Sequence, residues 1–140
     1  MINYSTNKST TKQIEDHLSK CEKTFTPKLS SYVDIKDYSN KVFNKAMRFE
    51  CFDEEKLVGL IAGYKGEKLY ITNVSTDPDY TRRGIAGTLM KMSEDFCRLN
   101  NLRYIELEVN PQNQTAIAFY EKRGFKIKNS NHKYEKELTP

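Results

Sequence analysis

Apolar residues recur along the chain at two spacings, and the switch between them marks the elements. Ile14, Leu18 and Cys21 return with helical period. They predict a helix over residues 10–25, with caps available from Ser9 to Thr11 and a stop at Pro27. Ile35, Tyr38, Val42 and Ala46 share one face of a second predicted helix over 34–47. The period then shortens. Residues 48–52 and 57–64 predict two strands joined by the acidic turn Asp53-Glu54-Glu55. The run Leu57-Val58-Gly59-Leu60-Ile61-Ala62 is almost wholly apolar, as suits a strand covered on both faces. A turn at Lys65-Gly66-Glu67 leads to a strand over 69–75, broken by Asp77-Pro78-Asp79. Ile85, Leu89, Met92 and Phe96 stripe a helix over 84–99, closed by Asn100-Asn101. Residues 104–109 alternate as a strand, Pro111 ends it, and 115–122 predict a short helix stopped at Gly124. Weak strands at 125–128 and 133–138 close the chain. Residues 1–11 are polar and receive no strand.

The order is helix, helix, three strands, helix, strand, helix, two strands. No repeat, linker or low-complexity tract divides it, so residues 1–140 are expected to form one domain. A mixed α/β (α+β) sheet with helices on both faces is the natural packing. The helical N-terminal third differs in texture from the rest and is the candidate for a variable, substrate-facing part.

Composition narrows the class. Of 140 residues, 37% are hydrophobic and 30% charged, which suits a folded chain rather than a disordered one. No window nears the ~18 apolar residues of a membrane helix, and residues 1–11 lack the apolar stretch of a signal peptide. The expectation is a cytoplasmic protein without a membrane partner. Cys21, Cys51 and Cys97 are odd in number and include no C-x-x-C pair, so neither a disulfide framework nor a metal site is expected. No serine or cysteine sits in a nucleophile motif. The net charge of +4 is too small to imply nucleic acid. It suits a polyanionic ligand such as a nucleotide diphosphate, and equally a plain solvated surface.

The most informative stretch is Thr81-Arg82-Arg83-Gly84-Ile85-Ala86-Gly87-Thr88, between a predicted strand and a long helix. Amide N–H groups at a helix start lack intrahelical partners, and with the helix dipole they form an anion site. Small residues at Gly84, Ala86 and Gly87 let a diphosphate approach the main chain, and Arg82 and Arg83 add charge and donors. The stretch is not a Walker A loop, because no G-K-[ST] ends it, nor a G-x-G-x-x-G dinucleotide fingerprint. The plainer alternative is a loop that caps a helix with small residues.

This stretch resembles the signature [QR]-x-x-G-x-[GA] of the GCN5-related N-acetyltransferase (GNAT) superfamily, with Gly84 and Ala86 at its last two fixed positions. Thr81 departs from it, standing where Gln or Arg is usual; Arg82 or Arg83 is the candidate to replace that side-chain contact. A second block, residues 107–125, is similar to the family's L-x-V followed by N-x-x-A-x-x-x-Y-x-x-x-G-F. Asn113, Ala116, Tyr120, Gly124 and Phe125 fall in register. The resemblance covers residues 57–125 well and both ends weakly.

The resemblance implies a mostly antiparallel mixed sheet with one splayed strand pair and helices on both faces. It implies acetyl-coenzyme A as co-substrate, with its pyrophosphate held at residues 82–88 (Arg82, Arg83, Gly84, Ile85, Ala86, Gly87 and Thr88). Main-chain groups of Val74 and Thr76 would pair with the pantetheine arm like an added strand. The Val74 N–H would polarise the thioester carbonyl, and Asn113 would hydrogen-bond a pantetheine amide. Tyr120 would protonate the leaving thiolate; its alternative is an aromatic core role, which Phe119 could fill instead. Asn73 and Ser75 stand where many relatives place an acid, and neither is a base. Glu108, in a Leu-Glu-Val context, is the candidate base, against a solvated glutamate or reliance on water. His17 and His132 are expected in structural or solvent-exposed roles.

The expected reaction is direct acetyl transfer to a small-molecule or peptide amine, the pocket for which residues 30–39 are candidates to line. The resemblance leaves the acceptor and a homodimer open. A coenzyme A-binding regulatory module without transferase activity is the alternative. A nucleic-acid-binding domain rests on net charge alone, without interleaved arginines and aromatics.

Overall fold

A computed structural model describes residues 1–25, 27–128 and 132–139. Among these residues, seven strands form one sheet: β1 Ile2–Thr6, β2 Met47–Asp53, β3 Lys56–Lys65, β4 Leu69–Thr76, β5 Tyr104–Glu108, β6 Lys126–Ile127 and β7 Lys133–Glu137. Their spatial order is β1-β2-β3-β4-β5-β7-β6. All neighbours are antiparallel except β4 and β5. The α-helices among the described residues cover the sheet: α1 Thr11–Cys21, α2 Ile35–Lys45, α3 Ile85–Leu99 and α4 Gln114–Lys122.

Local chemistry sets the helix starts. Thr10 caps α1 in a reciprocal box with Gln13, and Asp34 caps α2 through the Asp37 N–H. The first helix is shorter than its apolar period suggests. It ends at Cys21 and tightens into a 3-10 turn, Glu22–Thr24. The second ends at Lys45, and Met47 begins β2. The strand β1 carries no sequence signal because it is an edge strand with only Ile2 and Ser5 partly covered. It pairs with β2 from Ile2↔Asp53 to Thr6↔Phe49. The segment after it is pinned by the buried Glu50 carboxylate, which accepts from the Lys8 N–H (2.7 Å), the Ser9 N–H (3.0 Å) and the Ser9 hydroxyl. Arg48 Nε, 3.2 Å away, balances its charge.

The core has two halves, one on each side of the sheet. Ile14, Leu18 and Val42 of α1 and α2 meet Leu57, Leu60 and Ala62 of β3. Ile85, Leu89 and Met90 of α3 and Tyr120 of α4 meet Phe49, Val58, Ile61, Leu107 and Val109. The strand β3 is thus covered on both faces, as its apolar run requires. The buried line of α3 runs through Ile85, Leu89, Ser93 and Cys97, while Met92 and Phe96 are only half buried. Gly59 lets α3 lie close to the sheet, since a Cβ there would sit 2.5 Å from Ile85 Cγ2. All three cysteines are buried free thiols. Burial pushes the Cys21 thiol up to about 12 and that of Cys97 to about 11.

Candidate active site

The two parallel strands part after only two paired positions, Leu69↔Ile105 and Tyr70↔Glu106. Beyond them β4 and β5 diverge around a cavity of about 640 Å³. Its walls include Ile71 to Val74 of β4, residues 107–111, Asn113, Ala116 and Tyr120, together with Phe25, Leu29, Tyr32, Val33 and Tyr38.

Register fixes which main-chain groups face this gap. Antiparallel partners alternate between hydrogen-bonded and non-bonded pairs. The Asp77 N–H donates to the Val58 carbonyl at 2.8 Å, so Val58↔Asp77 is a bonded pair. By alternation Leu60↔Ser75 and Ala62↔Asn73 are bonded too. Ile61↔Val74 and Gly59↔Thr76 are then non-bonded, and the N–H and C=O of Val74 and Thr76 turn away from β3 toward the gap. The same count works on β5. The Val109 N–H donates to the His132 carbonyl at 3.0 Å, so the Glu108 main chain turns from β7 to the gap.

Side chains divide between the two faces. An extra residue, Thr72, bulges from β4 between the Ile71↔Gly63 and Asn73↔Ala62 pairs. Ile71 and Val74 therefore both pack on the α3–α4 side, with Tyr120. Thr72 and Asn73 both turn to the α1–α2 side. There Tyr38 Oη donates to the Thr72 carbonyl at 3.0 Å and lies 2.8 Å from its hydroxyl. Glu108, flanked by the core residues Leu107 and Val109, projects on this α1–α2 side and is exposed. The gap thus separates Glu108, Asn73 and Tyr38 from Tyr120.

The Tyr120 ring is buried and packs edge-on against Phe119 and Phe125, at 5.3 and 5.6 Å between centroids. It is therefore a core aromatic that also lines the cavity. Burial pushes its phenol above the ordinary value, so it stays protonated through neutral pH. Asn113 caps α4, its Oδ1 accepting the Ala116 N–H at 3.1 Å, which leaves the side-chain NH2 available in the cavity wall.

At the far end of β4, a 3-10 turn, Pro78–Tyr80, leads to α3. Gly84 caps that helix in the left-handed region, φ +74°, without a side-chain cap. The Thr88 N–H is spent on the Gly84 carbonyl at 3.0 Å, so Ile85, Ala86 and Gly87 supply the free N–H groups of the first turn. Arg82 is exposed and also left-handed, φ 65°. Arg83 stacks over Tyr80 at 4.7 Å, and Tyr80 is fixed by its hydroxyl to Asp53 at 2.5 Å. Thr81 turns its hydroxyl back to the Pro78 carbonyl at 3.4 Å.

Two nearby residues have a place that the sequence does not give them: Arg123 carries no expected role there, and His17 only a structural or solvent-exposed one. Arg123 extends across α3, and a Cβ on Gly87 would meet its Nη2 at 2.8 Å. It adds a third guanidinium close to the helix start. Its signal was the small residue at position 87, which a neighbouring side chain uses as well as any ligand. His17, buried on α1, lies with Nδ1 3.1 Å from the Leu57 carbonyl and Nε2 2.8 Å from Ser75 Oγ. It shares the apolar face of Ile14, Leu18 and Cys21, which was the readable signal. His132 is exposed at the cavity rim.

A sheet opened between parallel strands, with the free N–H groups of a helix start at the open end, is the architecture of the coenzyme A-dependent acyltransferase folds. The chain belongs to the acetyltransferase (GNAT) family, whose family model matches residues 11–125. Among curated relatives, the uncharacterized protein YxbD of Bacillus subtilis is 35% identical over 75 residues, 54% of this chain and 46% of its own. The ribosomal protein bS18-alanine N-acetyltransferase of Escherichia coli is 38% identical over 53 residues, 38% of this chain and 36% of its own. These alignments thus span less than half of either relative. Spermidine N(1)-acetyltransferase of Thermoplasma acidophilum is 24% identical over 113 residues, 74% of this chain and 70% of its own. Among solved structures, a GNAT acetyltransferase from Staphylococcus aureus superposes with a TM-score of 0.79 at 17% identity, covering 99% of this chain and 100% of its own. The PaiA N-acetyltransferase of Thermoplasma acidophilum, in complex with coenzyme A, gives 0.73 at 17% identity, covering 97% and 99%.

Among the described residues, no helix is long and apolar enough to cross a membrane. No group of three or more His, Cys, Asp or Glu among them is placed to hold a metal.

Proposed function

We propose that this chain transfers the acetyl group of acetyl-coenzyme A directly to an amine within a ternary complex. The observation that carries this is the parting of β4 and β5. It turns the main-chain groups of Val74, Thr76 and Glu108 toward a cavity lined by Tyr120, with the free N–H groups of α3 beyond the end of β4.

In this reading the pyrophosphate lies on the N–H groups of Ile85, Ala86 and Gly87, with Gly84 leaving open space above the turn. Arg82 and Arg83 screen its charge. The pantetheine arm enters the gap and pairs with Val74 and Thr76, and Asn113 donates to one of its amides. The amine lone pair attacks the acetyl carbonyl carbon while the Val74 N–H receives the developing oxyanion. The carbon–sulfur bond breaks, and Tyr120 gives the departing sulfur its proton. The amine proton passes to Glu108, on the opposite side of the gap from Tyr120, or to water. The division of faces keeps acid and base apart, so neither quenches the other.

The test is product formation from acetyl-coenzyme A and a panel of amines, with Tyr120→Phe beside the parent protein. The substitution keeps the ring and its aromatic neighbours, so the fold holds. Turnover should fall about 10- to 100-fold, at or below the usual range for one acid catalyst. An unchanged rate would remove Tyr120 from the chemistry. Coenzyme A binding with no product on any amine would replace the transferase with a regulatory module.

A further inference from the structure

The α1–α2 side of the gap has an unusual charge inventory. Among the described residues lining the cavity, Glu108 is the one carboxylate, and no lysine or arginine lines it. The wall on this side otherwise comprises Thr24, Phe25, Pro27, Leu29, Tyr32, Val33, Tyr38, Thr72 and Asn73. Asn73 is almost fully buried, at 4% exposure, yet reaches this wall.

Proton counting fixes how Asn73 is presented. The Leu57 carbonyl can only accept, so His17 carries a proton on Nδ1. The imidazole is buried and neutral, its pKa lowered to about 4 chiefly by desolvation. Nε2 therefore accepts, and the single Ser75 hydroxyl proton points to it across 2.8 Å. Ser75 Oγ also lies 2.8 Å from the Asn73 side-chain oxygen as placed. Two acceptors cannot share one proton, and the oxygen and nitrogen of an asparagine amide are exchanged by a half-turn. With the amide turned, Asn73 donates its NH2 to Ser75, and its carbonyl oxygen faces the cavity beside Tyr38, whose one hydroxyl proton goes either to it or to the Thr72 carbonyl.

We propose that this cavity wall is the acceptor subsite, that it takes a single amine on an apolar uncharged body, and that Asn73 Oδ1 receives the amine N–H. This rests on the transferase reading and names its substrate class. His17 and Ser75 are positioning residues that hold Asn73 with its oxygen outward. Glu108 at the rim matches one ammonium as it enters. The wall offers no carboxylate to a second, and an unpaired charge against Phe25, Leu29 and Val33 is strongly disfavoured. A polyamine would need acids spaced along the wall. An α-amine, with a pKa of roughly 8, is also partly neutral at physiological pH, whereas an alkylamine near ~10.4 is not. Apolar amino-acid amides and short peptides with apolar first residues have this chemistry.

The test uses the full chain. Coenzyme A binding is measured first by calorimetry. Initial rates then compare phenylalanine amide and an Ala-Phe dipeptide amide with spermidine, at saturating acetyl-coenzyme A. The monoamines should be favoured in kcat/KM by about 100-fold, the scale at which an unmatched polar group is rejected. Ser75→Ala should raise the amine KM roughly 10-fold, the worth of one oriented hydrogen bond, while the acetyl-coenzyme A KM stays put. Ser75→Thr, which keeps a hydroxyl, should restore most of it. Tyr32→Glu, at an exposed position that tolerates charge, should move preference toward spermidine. Equal or better use of spermidine by the parent protein overturns this inference alone, as does an amine KM indifferent to Ser75→Ala. Absence of coenzyme A binding, or binding without product on any amine, overturns the transferase reading and this inference with it.

Discussion

His17 shows what a single residue can hide. From the chain it reads as one of two histidines in weakly matched ends; in the fold it is 3% exposed. A side chain at helical spacing with Ile14, Leu18 and Cys21 had to face the sheet, but its partners, Leu57 and Ser75, are about 40 and 58 positions away. No local pattern announces such a pair. Its burial has a measurable consequence. The folded state resists protonation down to about pH 4, while the unfolded chain takes a proton near 6.5. Stability is therefore full above pH 6.5 and lost as pH falls to about 4, by about 3 kcal/mol if His17 acts alone. Urea unfolding at pH 7 and pH 4.5 should show this loss, and His17→Gln, destabilised at neutral pH, should show a flatter profile across the same window. Equal slopes in the two proteins would refute the assignment.

At the scale of elements, the helices and central strands were legible because each carries its own periodicity or caps. Thr10 with Gln13 and the apolar run of β3 are examples. The strand β1 was not legible, because its place is fixed by pairing with β2 rather than by any apolar face of its own. Two elements can be tested through the residues that seat them. Gly59→Ala should force α3 outward, since Ile85 and Leu89 already occupy the space a methyl would need. A cost of about 1–3 kcal/mol is expected. Because α3 carries the proposed phosphate turn, the acetyl-coenzyme A KM should rise with it. Denaturant melts and substrate kinetics on one variant check both. Glu50→Ala should strand Arg48 in the interior and release the turn between β1 and α1, costing about 3–5 kcal/mol by the same melts. A loss under 1 kcal/mol would show that solvent reaches Arg48 there.

Over the whole molecule, the two halves of the candidate site differed in how far the chain foretold them. The nucleotide half is local: Gly84, Ala86 and Gly87 lie within one turn, and geometry follows from adjacency. The acceptor half is assembled from the Phe25–Tyr38 region, β4 and β5, so only contact across the sheet creates it. If the nucleotide half binds as proposed, acetyl-coenzyme A at 100 times its Kd should add about 2.7 kcal/mol of stability, roughly 5–10 °C in Tm for a chain of this size. The gain should shrink as salt rises, because Arg82 and Arg83 are exposed, and should shrink again in an Arg82→Ala, Arg83→Ala double variant. A Tm indifferent to the ligand would rule the cradle out. The bulge at Thr72 carries a last consequence, for insertions and deletions. Removing that one residue makes Ile71 and Asn73 consecutive ladder positions, so simple alternation keeps Asn73 toward α1 and Val74 toward α4. The strand can lose a residue at the bulge without exchanging its two faces, whereas the same loss at a paired position would put the residues beyond it on the wrong side while leaving the composition of the site almost untouched.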